Sequence, residues 1–235
     1  KKIFDINGSG NILLQNSNDK LDYIIRKDKG GIKFDTLIEV KDNPLSINFL
    51  NFKKETKDEA KISFKGEINE KNIKIEKILF KNGKNKIELD NILLNKDLKV
   101  LNLLKAKFDY FDNENIKNYF QISNKDKSYS LEGSLLNANS FIENLLSNDD
   151  DNSFPFKNRF NLNVNLEQVR LDEEFTINNF KGSLTFKENT FAQANLGGSF
   201  NNEKKIKITI NSTDNEKITT LFSDYAKPFV KRYKF

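Results

Sequence analysis

Residues 160–170 read FNLNVNLEQVR, and the pattern over the first seven is a strict alternation in which Phe160, Leu162, Val164 and Leu166 are separated by asparagines. Side chains two residues apart point to the same face of an extended chain, so such a segment is a strand with one apolar and one polar face. Working outward, the same period recurs at Leu184 and Phe186, at Leu196 and Phe200, and at Ile206, Ile208 and Ile210. It recurs upstream at Ile62 and Phe64, leading on to Ile68, then at Ile73 and Ile75, and at Ile87 and Leu89. Polar or glycine-bearing turns such as Lys81-Asn82-Gly83 separate these runs, which read as consecutive antiparallel hairpins. The expectation is a mainly β chain of roughly eight or more antiparallel strands with a few short helices.

Helical signals are short. Asn139 or Ser140 is placed to cap a turn carrying Phe141, Ile142, Leu145 and Leu146 on one side. A second helical segment is expected from Thr213-Asp214 through Ile218, Leu221, Phe222 and Tyr225 toward Pro228. Leu98 to Ala106 fits either a buried strand or a helical turn. Strands followed by a short helix and then more strands suggest a repeating unit. The acidic, asparagine-rich run Asn148 to Asn152 is the candidate boundary, giving an N-terminal part over 1–148 and a second part over 149–235.

Composition narrows the chemistry. The chain has 235 residues, 37% hydrophobic and 31% charged, with a mean hydropathy of −0.66, which suits a thin, extended shape better than a thick core. It holds 35 asparagines and 35 lysines but only 4 arginines, and the 39 basic residues are interleaved with 34 acidic ones for a net charge of +5. With no long basic run and few arginines to read base edges, nucleic acid is not expected as a partner. Cys, His, Met and Trp are all absent from the sequence. Thiolate nucleophiles, imidazole bases, disulfides and the usual zinc or copper ligand sets are therefore missing, and no cofactor, metal or enzymatic activity is expected.

Individual motifs add little. Gly8-Ser9-Gly10 is followed by strand rather than helix, so it reads as a kink or bulge and not as a phosphate cradle. Asp149, Asp150 and Asp151 lack calcium-loop spacing, and Glu173-Glu174 stands without a base or nucleophile nearby. The start at Lys1-Lys2-Ile3, already strand-like, suggests an internal segment. From periodicity alone the apolar stripes favour a closed hydrophobic core, as in a structural or interaction module serving envelope assembly or adhesion, over an exposed face.

A resemblance bears on that choice. The stretch FNLNVNLEQVRLDEEFTINNFKGSLTFKENTFAQANLGGSF at 160–200, KIKITI at 205–210 and LFSDYAKPFV at 221–230 resemble the AsmA-like superfamily, most closely its YhdP-type members in Gram-negative bacteria. The features are a strand leading into Val169-Arg170-Leu171, then Asn179-Phe180-Lys181-Gly182-Ser183-Leu184, then Ala194 to Phe200 with Gly197-Gly198, and Asp224 before Tyr225-Ala226. The likeness covers about residues 130 to 235, and the lysine and asparagine load departs from the family.

What the resemblance implies is an elongated, curved, open, taco-like β-groove in the periplasm. It would be held to the inner membrane by an anchor outside this chain and would carry phospholipid toward the outer membrane, with outer-membrane or periplasmic proteins as possible partners. Its lining would be Ile62, Phe64, Ile73, Ile75, Ile87, Leu89, Phe160, Leu162, Val164, Leu166, Leu184, Phe186, Leu196, Phe200, Ile206, Ile208 and Ile210. Continuation beyond Phe235 is also expected.

Overall fold

The computed structural model describes residues 3–125, 128–139, 159–187, 190–201, 203–213 and 216–233. They are mainly β, 72% strand and 4% helix, in an open sheet. Two compact units divide the chain, residues 1–116 and 117–235. The expected boundary at 148/149 falls outside the described residues, as do the acidic run from Asn148 and the turn from Ser140 to Leu146.

The first unit contains β1 (Phe4–Leu14), β2 (Ser17–Lys27), β3 (Ile32–Val40), the short pair β4 (Leu45–Ile47) and β5 (Phe52–Lys54), β6 (Ala60–Ile68), β7 (Ile73–Asn82), β8 (Asn85–Leu94) and β9 (Val100–Phe111). Its sheet order is β1-β2-β3-β6-β7-β8-β9, antiparallel at every pairing. The β4–β5 hairpin is a separate two-stranded ribbon. The segment 98–106, open to two readings in sequence, forms most of β9.

The second unit contains β10 (Lys117–Lys125), β11 (Ser128–Asn137), β12 (Phe160–Arg170), β13 (Thr176–Lys187), β14 (Thr190–Phe200), β15 (Lys205–Ser212), β16 (Lys217–Ser223) and the helix α1 (Lys227–Tyr233). The order follows the chain. One pairing departs from the expected run of hairpins, since β11 and β12 are parallel, Leu131 opposite Val164 and Leu136 opposite Val169. A parallel pair needs a crossover, and residues 138–159 connect the two strands.

The helix expected from Thr213 is not there. Residues 217–223 form β16, and helix begins only at Lys227-Pro228. Ile218, Leu221 and Phe222 have helical spacing, but β15 offers a full row of backbone donors and acceptors, and β16 takes them over seven paired positions from Ser212–Lys217 to Ile206–Ser223. Thr219 and Thr220 favour that outcome. Gly8-Ser9-Gly10 forms no bulge, because the β1–β2 register runs unbroken from Phe4–Lys27 to Leu14–Ser17.

Asparagine and aspartate earn their frequency partly at the turns. Asp28, Asn69, Asn95, Asp112 and Asp172 each open a loop and accept two backbone N–H groups two to four residues ahead, at 2.7–3.2 Å. This side-chain mimicry of a backbone turn satisfies donors that the ladder leaves over. The Asn82–Asn85 hairpin instead uses a two-residue turn with Gly83 at φ 55°.

Candidate lipid-facing surfaces

In an antiparallel ladder, residues directly opposite share a face. In the first unit this rule puts all six candidate residues together: Ile62 lies opposite Phe80, Phe64 opposite Ile78, Ile73 opposite Leu94, Ile75 opposite Ile92, Ile87 opposite Phe108 and Leu89 opposite Ala106. Ile25, Phe34 and Ile38 extend the same face through β2 and β3. The opposite face carries the charge, with Lys61–Glu39, Lys65–Glu76 and Lys77–Glu88 ion pairs across neighbouring strands.

The second unit repeats the arrangement with the remaining eleven. Phe160, Leu162 and Val164 lie opposite Phe186, Leu184 and Gly182; Leu196 lies opposite Ile208, Ala194 opposite Ile210 and Gly198 opposite Ile206. Leu166 and Phe200 join them opposite Phe180 and Ile177.

Sequence reasoning missed further members because strict alternation fails. The apolar face advances by three residues at Ile75 to Ile78, at Leu89 to Ile92 and at Leu103 to Ala106, and the skipped positions include Glu76, Asn91 and Leu104 in one cross-strand row. The second unit steps by three at Gly133 to Leu136, Leu166 to Val169 and Ile177 to Phe180. Asn91 and Asn179 take φ of 51° and 50° within these rows. An irregularity of this kind re-aims side chains and increases local twist. Here it restores Ile92, Val169 and Ile177 to the apolar face, all three buried.

Burial along each face is uneven. In the first unit the β4–β5 ribbon and the 3-10 turn at Asn48–Leu50 sit over one end. Phe52 meets Phe80 and Tyr110 edge-on, with centroids at 5.4 and 6.0 Å. The Tyr110 hydroxyl donates to the Leu50 carbonyl at 3.0 Å, and burial, with Asp112 nearby, pushes its pKa far above the phenol range.

The ribbon is tied down by polar groups with little access to water. Lys54, 0% exposed, donates its ammonium to the carbonyls of Lys41, Asn43 and Glu55 at 3.2, 2.7 and 3.0 Å. Asp19, also buried, accepts the N–H groups of Lys41 and Asp42 and the Asn43 amide. Burial raises its carboxyl, but the Asn43 bond and these N–H groups outweigh it and hold the pKa below the ordinary value.

Toward the other end the face is more open. Ile32, Phe34, Phe64, Ile68, Ile73, Ile75, Leu94 and Val100 are only half-buried there, and Phe4 and Ile6 are exposed.

In the second unit the capped end is built from Phe175, Tyr225 and Phe229. Tyr225 is edge-on to both Phe175 and Phe200, at 5.8 and 5.6 Å, while Phe229 reaches Phe200 at 6.3 Å. Val169, Ile177, Phe200 and Ile206 are buried beneath. Farther along, Leu162, Leu184, Ile208 and Ile210 are half-buried, and an aromatic run of Tyr129, Phe160, Phe186 and Phe191 follows, with Phe160 stacked on Phe186 at 4.6 Å.

No family model, curated protein or solved structure matches this chain. The surfaces therefore have to be read from their own chemistry. Among the described residues no group of three acidic residues is arranged to hold a metal ion, and no helix is long and apolar enough to cross a membrane. Glu173 and Glu174 lie exposed in the β12–β13 loop, Glu174 at 3.7 Å from Lys227. The Glu88 carboxylate is held at about 2 by hydrogen bonds from Lys77 and then Lys86. That is a surface ion-pair network on the charged face, with no cleft around it.

Proposed function

We propose that the uncapped stretch of each apolar face shelters the acyl chains of phospholipid, as a periplasmic segment of an AsmA-like lipid conduit whose inner-membrane anchor lies outside this chain. The observation that carries the proposal is an apolar face in each unit, sealed at one end by its own ribbon or helix and left half-buried at many positions beyond it. Self-packed sandwiches cover both inner faces with a second sheet. An uncovered apolar face needs a partner from outside, and each acyl methylene removed from water contributes about 0.8 kcal/mol. Passage along such a face requires no catalytic group. The fully buried capped ends favour the second reading, an envelope scaffold or adhesion module with a self-packed core.

The two readings separate at Ile208, half-buried between Leu196 and Leu221. On the conduit reading, Ile208→Asp keeps its thermal unfolding temperature within about 4 °C of wild type, since the carboxylate stays hydrated, and loses phospholipid capture after incubation with vesicles. On the self-packed reading the same charge is buried unpaired and the second unit unfolds. A folded mutant that captures lipid normally would remove β15 from the proposed lining.

A further inference from the structure

The polar face of the second unit carries a feature that the acyl-chain reading does not use. Across β13 to β16 the register aligns Lys181, Gly197, Lys207 and Phe222 in one row. Lys205 and Asn195 lie on the same face two residues from Lys207 and Gly197, and together these residues line a depression of about 470 Å³.

Three things distinguish it from an ordinary lysine-rich surface. Four lysines on the charged face of the first unit have carboxylate partners, at Lys61–Glu39, Lys65–Glu76, Lys77–Glu88 and Lys86–Glu88. Among the described residues Lys181, Lys205 and Lys207 form no ion pair, and Asp224, just after β16, is turned to the backbone, its Oδ2 accepting the Lys205 N–H at 3.1 Å. Second, the gap between Lys181 and Lys207 exists because residue 197 has no side chain, and the fold does not demand that glycine: an added Cβ would meet only the Ile206 carbonyl, at 3.4 Å. Third, Phe222 is 55% exposed at the rim, an apolar surface beside a cationic one.

Two lysines two strands apart stand roughly 10 Å from each other at the backbone, a span that two flexible ammonium groups close onto one tetrahedral anion. We propose that this notch binds a phosphate group between Lys181 and Lys207, with Lys205 beside it. The same chemistry is presented by free inorganic phosphate and by the phosphodiester of a lipid headgroup. Only the second has an organic portion to lie against Phe222.

The test uses the whole chain. Inorganic phosphate is titrated while the backbone amide resonances of Gly197 and Lys207 are followed, and binding is measured to vesicles of phosphatidylcholine with and without phosphatidylglycerol. Saturable shifts confined to this row are expected, weakened about fivefold by Lys207→Ala and further by the Lys181→Ala/Lys207→Ala double change.

The decisive variant is Gly197→Val, which fills the notch and leaves every charge in place. It should weaken phosphate binding as much as losing a lysine does, and Gly197→Ala supplies the same comparison with a smaller group if valine disturbs the ladder. Phosphatidylglycerol vesicles that bind and are competed by phosphate identify a headgroup site; a response to phosphate alone identifies a free-phosphate site. Non-saturating shifts, no response in either arm, or undiminished affinity in both Gly197 variants would mean diffuse attraction by lysines and overturn the proposal. Ile208 lies on the opposite face, so the outcome there does not bear on this one.

Discussion

Gly182→Ala is expected to unfold the second unit. Gly182 sits at φ 145° in β13, a conformation L side chains rarely adopt, and a Cβ there would lie 1.9 Å from the Asn195 carbonyl oxygen and 2.9 Å from Leu196 Cα. Both are backbone atoms of the β13–β14 ladder, and neither moves without separating the strands at Lys181–Gly197 and Gly182–Leu196. Strained conformation and backbone collision together should cost more than about 4 kcal/mol, beyond the range of most single changes. Proteolysis and circular dichroism at room temperature would register the loss directly. Gly197→Ala, on the next strand, is the control: its contact is ordinary, and it should fold with a melting temperature close to wild type. A Gly182→Ala protein as stable as that control would mean that the close approach of β13 and β14 is not as described.

Lys54→Met should detach the cap from the first unit's apolar face. The side chain keeps its length and apolar stem, but the buried Asn43 carbonyl loses its donor, while the Lys41 and Glu55 carbonyls keep only the N–H groups of Lys57 and Asp58. Leaving one buried acceptor unpaired costs about 1–3 kcal/mol, so the net loss should be about 2 kcal/mol, roughly 8 °C in melting temperature. Loosening the ribbon also withdraws Phe52 from Phe80 and Tyr110, and the amides of Leu45–Lys54 should lose hydrogen-exchange protection ahead of β6–β9. A change of less than about 2 °C with protection intact would show that water replaces the ammonium readily.

Much of this organisation is legible in the residues themselves, because a β-strand has only two faces and period two reports which residue is on which. Phe160, Leu162, Val164 and Leu166 needed no tertiary information to be placed together, and the seventeen candidate positions fall on one face in each unit. The misses have a common physical cause. Ile92, Val169 and Ile177 lie across a three-residue step from the expected positions on their strands, where a row of irregular positions crosses several strands and reverses the parity on its far side. That step depends on the neighbouring strands adopting it together, although the spacing Val164, Leu166, Val169 is a visible trace of it. Ile218, Leu221 and Phe222 failed for a different reason, since helical spacing in seven residues is overridden by a free sheet edge beside them. The capping groups were also hidden: Lys54 and Asp19 look like any other charged residues until the chain folds them under the ribbon.

Uncapped apolar faces that shelter acyl chains should lie within crosslinking reach of them. The most direct measurement is photo-crosslinking to phospholipid from single positions on opposite faces of one strand, Phe64 against Lys65 on β6 and Ile208 against Thr209 on β15. Crosslinks to lipid from positions 64 and 208, with little from 65 and 209, are the expected result. Equal yields from both faces, or none from Phe64 and Ile208 while the protein remains folded, would contradict it.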